Sequence, residues 1–217
     1  MRHIADLAQS RKKADTLIVL LPGAYHQPEG FITEGFINAV RERELNIDLI
    51  MAELSLSDIA DQRVLTEIHS DLILPAITAG YQNIWIAGIS IGGYVALAYA
   101  SRYAHMLKGL LLLAPYPGNR ITTGEITLSG GTKTWNPNFI SNDDTERSNW
   151  YWLKSHHLSN VEVHLGYGEQ DRFATGHAMM AETLPLAQVD SLMGDHTWPI
   201  WLKLWQNFLD KKFVVRS

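Results

Sequence analysis

A serine framed by glycines two positions to either side, Gly88-Ile89-Ser90-Ile91-Gly92, is the stretch of this sequence best suited to covalent chemistry. The apolar run Ile84–Ile89 leads into it and the run Tyr94–Ala100 leads out, so the serine falls at a strand-to-helix turn of the G-x-S-x-G type. Such a turn holds its serine in a strained backbone conformation, and the flanking glycines supply the room that a Cβ would occupy. The hydroxyl is then left exposed above the strand end. The N–H of Ile91 and the start of the helix point at whatever the serine attacks, which suits a developing oxyanion. The same five-residue pattern also arises by chance at ordinary strand-to-helix junctions, so its partners decide the reading.

A serine hydroxyl is a poor nucleophile until a base takes its proton, and the base needs an acid to hold its tautomer. In a doubly wound sheet the loops after the carboxyl ends of the strands share one rim, where Ser90 already sits. Of the nine histidines only His26 and His196 fall in such loops, and His196, in Met193-Gly194-Asp195-His196-Thr197, follows the last apolar run. His196 is therefore read as the base. His26 is left for substrate or oxyanion contact, and the other seven read as solvated or packed imidazoles. The loop Gly166-Tyr167-Gly168-Glu169-Gln170-Asp171-Arg172 follows the preceding strand, which makes Asp171 the acid, with Glu169 as the alternative. Asp195 is too close in sequence to face the same ring, and Asp143 and Asp144 read as helix N-caps.

The elements that must position these groups alternate along the chain. Thr16–Leu21 is a continuous apolar run stopped by Pro22-Gly23, as expected of a parallel strand buried on both faces. Ile32, Phe36, Ala39 and Val40 then recur at helical spacing, and 46–51 returns as a strand. A helix over about 61–79 with a bend at Pro75, strands at 84–89 and 108–114, a strand at 161–166, a helix at 175–184 and a strand at 187–192 continue the rhythm. The last helix starts near Pro199 and turns Trp201, Leu204, Trp205 and Phe208 to one side. Strand and helix in alternation predict an α/β fold, a doubly wound and mostly parallel sheet of about six strands with helices on both faces.

The rhythm breaks over about 116–160, where Ser129-Gly130-Gly131 suggests a hairpin or long loop and 144–156 a short helix. This insertion carries Trp135, Trp150 and further aromatics, which suits either a small cap over a pocket or an ordinary packed excursion. Residues 1–15 read equally as a short helix, an edge strand or a tail. The 217 residues fit a single domain, and 46% hydrophobic residues suffice for its core. A net charge of −5 with scattered Lys and Arg lacks the basic stripe of a nucleic-acid binder. The absence of cysteine excludes disulfides, thiolate metal sites and a Cys nucleophile. No run approaches a membrane span, and the first residues lack the apolar core of a signal peptide, so a cytoplasmic location is expected.

Taken together, these motifs resemble those of the α/β-hydrolase superfamily: Gly88–Gly92 its nucleophile elbow, Gly-x-Gly-x-x-Asp171-Arg172 its acid loop, and Gly194-Asp195-His196 its histidine loop, in the order Ser, Asp, His. The likeness runs from about residue 16 to the end. It implies an oxyanion hole made by the N–H groups of Ala24 and Ile91, although Pro22-Gly23-Ala24 stands where the superfamily usually has His-Gly. It also implies a shortened N-terminus, since fifteen residues are too few for the superfamily's first hairpin. The expected activity is that of a small serine esterase, cleaving a carboxylic ester or thioester of a small molecule without metal or organic cofactor. An acyltransferase or perhydrolase would use the same triad, and a non-catalytic ligand-binding member would keep only the fold. Tyr25, His26, Trp135, Trp150 and Trp198 are the candidate substrate contacts, and the aromatics suggest an uncharged or aromatic acyl group. The partners expected are a small-molecule acyl substrate and, for the chain itself, a second copy in a homodimer.

Overall fold

The computed structural model describes residues 1–8, 12–61 and 63–214. Seven strands form one sheet among these residues, in the spatial order β1-β3-β2-β4-β5-β6-β7. They are β1 (His3–Asp6), β2 (Thr16–Leu21), β3 (Ile47–Ala52), β4 (Asn83–Ile89), β5 (Gly109–Leu113), β6 (Glu162–Gly168) and β7 (Val189–Leu192). Six run parallel; only β1 is antiparallel, with His3 opposite Ala52 and Asp6 opposite Leu49. The expectation of about six strands falls short by this edge strand. Its four residues set Ile4 and Ala5 side by side between His3 and Asp6, a pattern without strand alternation and too short to separate from a polar tail. What fixes it is distant in sequence: Arg41 donates to the carboxylate and the carbonyl of Asp6, and the N–H of Glu53 donates to the carbonyl of Arg2.

Successive residues of the inner strands serve two separate cores, which is why they are apolar throughout. Leu17, Val19 and Leu21 of β2 face one cluster and Ile18 and Leu20 the other; β4 and β5 divide in the same way. One face is covered by α1 (Glu29–Thr33), α2 (Phe36–Arg41) and α10 (Trp198–Lys212), which bury Phe31, Phe36, Trp201, Trp205 and Phe208. Gly35, at φ +88°, divides the helix expected around Phe36 into α1 and α2. The other face is covered by α4 (Arg63–Glu67), α5 (Leu74–Thr78) and α6 (Ile91–Tyr103); α3 (Leu56–Ala60) precedes them, with no counterpart in the sequence reading. Between α4 and α5 the chain widens into a π-helical turn over Ile68–Ile73. Pro75 stands two residues beyond its end; it can donate no N–H and crowds the carbonyl four residues back, so this turn takes the place of the expected bend.

The first part of the insertion is helical where a hairpin or loop is expected, and the short helix expected at 144–156 is present. Asn119 caps α7 (Arg120–Leu128) by accepting the N–H groups of Ile121 and Thr122 at 2.8 and 3.0 Å, and Asp144 caps α8 (Thr145–Ser155) through Arg147 N–H at 3.0 Å. Two of the three threonines that weaken the helical pattern of α7 send their hydroxyls back into the helix, Thr123 to the carbonyl of Asn119 and Thr127 to that of Thr123, and Thr122 donates to Glu146. Arg147 joins the two helices by pairing with both Glu125 and Asp144. α9 (Ala174–Ala181) follows β6. No helix among the described residues is long and apolar enough to cross a membrane.

Candidate active site

β4 delivers the chain into Ser90 and α6 begins at the next residue. Ser90 has φ +53° and ψ −114°, a conformation that side chains seldom adopt. The glycines make this turn physically attainable. A Cβ on Gly88 would lie 2.3 Å from the carbonyl oxygen of Gly92, and one on Gly92 would lie 2.3 Å from that of Leu21. External hydrogen bonds hold the strained residue: its N–H donates to Leu113 at 2.9 Å, and its carbonyl accepts from Tyr94 and Tyr116 at 3.1 and 2.9 Å. Ile91 opens the helix, so its N–H belongs to the first turn, where no intrahelical acceptor exists.

The two loops beyond β6 and β7 press together at Gly168, whose Cβ would lie 2.3 Å from the carbonyl oxygen of Gly194. Gln170 N–H donates to Gly194 and Glu169 N–H to Leu192, both at 2.8 Å. This lacing brings Asp171 under His196. The Asp171 side chain is wholly buried; Oδ2 accepts from His196 Nδ1 at 2.5 Å and Oδ1 from the N–H of Phe173 at 2.8 Å. Burial acts to raise the carboxyl pKa, but the hydrogen bonds from His196 and Phe173 and the nearby imidazoles outweigh it and hold the pKa below the usual value. With Nδ1 donating to the carboxylate, Nε2 of His196 is left with its lone pair. Two rings meet the imidazole at right angles, Trp201 at 4.9 Å and Phe173 at 5.6 Å between centroids.

Ser90, His196, Ala24, Tyr25 and His26 all line one open cavity of about 560 Å³, which Gln170, Arg172, Asp195 and Trp201 complete. Tyr25 is 87% exposed at the rim and takes φ +64°, strained for its type. His26 lies flat on Trp198 at 5.0 Å, and burial followed by the nearness of His196 lowers its pKa. Trp198 itself backs His26 and packs on Phe31 and Phe36, outside the cavity wall. Trp135 and Trp150 require correction as substrate contacts: each is 2% exposed and part of the core. Their indole N–H groups donate at 2.8 Å to Glu125 and to the carbonyl of Pro117, so an insertion rich in aromatics here fills space inside the molecule. The wall that Ser90 does face combines the polar groups of Gln170, Arg172 and Asp195 with the rings of Tyr25, His26 and Trp201. Glu169, the alternative acid, accepts instead from the Ser191 hydroxyl at 2.8 Å.

Phe173, Trp201 and Arg172 were not singled out as site residues. Trp201 shows in the sequence only as part of an amphipathic face, and Phe173 only by standing two residues beyond Asp171. Among the described residues no group of three or more His, Asp or Glu is placed to hold a metal ion.

The Esterase family model, described as "Putative esterase", matches residues 69–204, more than half the chain and the whole span from Ser90 to His196. No curated protein matches the sequence. Among solved structures, Est1E from Butyrivibrio proteoclasticus superposes with a TM-score of 0.67 at 18% identity, over 96% of this chain and 91% of that one. S-formylglutathione hydrolase (FrmB) from Staphylococcus aureus gives 0.62 at 17% identity, over 92% and 81%. FphF, a fluorophosphonate-binding serine hydrolase of the same organism, gives 0.64 at 15% identity, over 94% and 89%. These likenesses are of fold. With the family match, they make the chain a member of the Esterase family, an α/β hydrolase and an enzyme of the serine hydrolase type.

Proposed function

We propose that the protein cleaves a carboxylic ester or thioester of a small, polar molecule through an acyl-enzyme intermediate. The observation that carries this reading is the 2.5 Å bond from His196 Nδ1 to buried Asp171, made beside the same cavity that the strained Ser90 lines. That bond fixes the tautomer in which Nε2 can accept a proton. Ser90 Oγ attacks the acyl carbon while its proton passes to His196 Nε2. The carbonyl π pair moves to oxygen, where the N–H groups of Ala24 and Ile91 stabilise the charge. Collapse expels the alkoxide or thiolate, which takes the proton from His196. Water then repeats the sequence on the acyl-enzyme and releases the acid. Arg172 and Asp195 on the cavity wall support a polar substrate over a long apolar acyl chain.

Mass spectrometry of the intact protein after a fluorophosphonate probe tests the reading, with Ser90→Ala and His196→Ala as controls. A single adduct at Ser90, absent from Ser90→Ala and strongly slowed in His196→Ala, is the expected result. Folded protein that takes no adduct would overturn it.

A further inference from the structure

His177 of α9 is wholly buried, yet it takes no part in the mechanism above. Its Nε2–H donates to the carbonyl of Pro115 at 2.9 Å, while Nδ1 is buried without a hydrogen-bond partner among the described residues. An apolar side chain would fill the same space without an orphaned nitrogen, so what the imidazole adds here is the hydrogen bond to Pro115. The acceptor matters because of what shares its peptide unit. The carbonyl of Pro115 and the N–H of Tyr116 belong to one rigid plane. That N–H donates at 2.9 Å to the carbonyl of Ser90. A single peptide is thus held between His177 on one side and the nucleophile on the other, and each hydrogen bond polarises the next.

The surroundings pack this peptide closely from both sides. Ala114, just before it, sits at φ +45°, and a Cβ on Gly93 would lie 2.8 Å from that of Pro115, so the turn presses directly on the elbow. α9 presses on the turn from the far side, since a Cβ on Gly176 would lie 2.7 Å from Pro117. Burial lowers the His177 pKa to about 4, which keeps the ring neutral beside Asp171 and His196. A neutral His177 leaves His196 as the ring that donates to the Asp171 carboxylate.

We propose that His177 is a positioning residue for Ser90, acting from behind through the Pro115–Tyr116 peptide to hold the elbow in its reactive conformation. The inference rests on Ser90 being the nucleophile. His177→Phe keeps a ring of similar size without the donor, and His177→Gln restores an N–H. In folded His177→Phe, kcat on a small p-nitrophenyl ester and the rate of fluorophosphonate labelling are expected to fall by about tenfold to a hundredfold, with KM within about twofold. His177→Gln is expected to recover most of that loss. Labelling of His177→Phe at the wild-type rate, or equal impairment of both variants, overturns the proposal. Should His177→Phe fail to fold, nitrogen-15 NMR of the wild-type histidines decides: an Nε2–H tautomer at His177 supports it, and an Nδ1–H tautomer overturns it. A wild type unlabelled at Ser90 overturns the hydrolase reading, and this one with it.

Discussion

Asp171 carries two charge-assisted acceptor roles on a side chain with no solvent contact, and its replacement by Asn tests both. An amide at this position can donate to His196 Nδ1, which would place the ring proton on the wrong nitrogen. Asp171→Asn is expected to lower kcat by about three to four orders of magnitude while circular dichroism shows the fold retained. The carboxyl also contributes to acid stability. Its folded pKa lies below the ordinary value, so its stabilisation is complete above that value and is lost as pH falls through the folded one. His177 acts in a higher window. The folded ring titrates near 4 and the unfolded one near its ordinary 6.5, so the unfolded state gains the proton first and stability falls as pH drops between them. Wild type should therefore lose about 2 kcal/mol more than His177→Gln between pH 7 and pH 5 in urea denaturation. Ser90, Asp171 and His196 were legible because chain order after strand ends places them without any knowledge of packing. Trp135 and Trp150 differ from the expectation because residue type alone does not say whether a ring faces the core or a cavity. Phe173 meets His196 ring to ring and His177 reaches a carbonyl 62 residues earlier, contacts for which no local pattern exists.

Elements fail or succeed here on a few steric points. The elbow tolerates no Cβ at Gly88 or Gly92, since the nearest atoms are backbone and cannot rotate away. Gly92→Ala is expected to cost about 3 kcal/mol in thermal or urea unfolding, with loss of Ser90 labelling in whatever fraction remains folded. The inner strands were legible to within a residue or two because burial on both faces leaves an unbroken apolar run. α7 was not, since Thr122, Thr123, Gly124 and Thr127 carry low helix propensity and Ser129-Gly130-Gly131 resembles a hairpin turn. Its cap was the available signal. Asn119 satisfies two N–H groups at once, and Asn119→Ala is expected to destabilise the protein by about 1 kcal/mol, measurable as a lower Tm without change in KM.

Across the whole molecule, the excursion between β5 and β6 behaves as part of the core. Trp150 packs in the same cluster as β4 and α6, and its N–H holds the carbonyl of Pro117 in the loop that follows β5. Trp150→Ala is expected to cost about 3 to 5 kcal/mol in stability, and the folded fraction should keep its KM, the outcome that separates a packing role from a substrate contact. The sheet's two outer strands bear on how copies of the chain meet. β1 and β7 are each only four residues long; Asp6 on the first is tied to Arg41, and Asp190 on the second to Lys211. Short strands with anchored charges make poor templates for an added strand. The long apolar strands lie inside, each paired on both sides. Recruitment of another molecule by backbone pairing is thereby blunted at both margins, so self-association has to use the helical surfaces, and the sheet resists growing into a fibre.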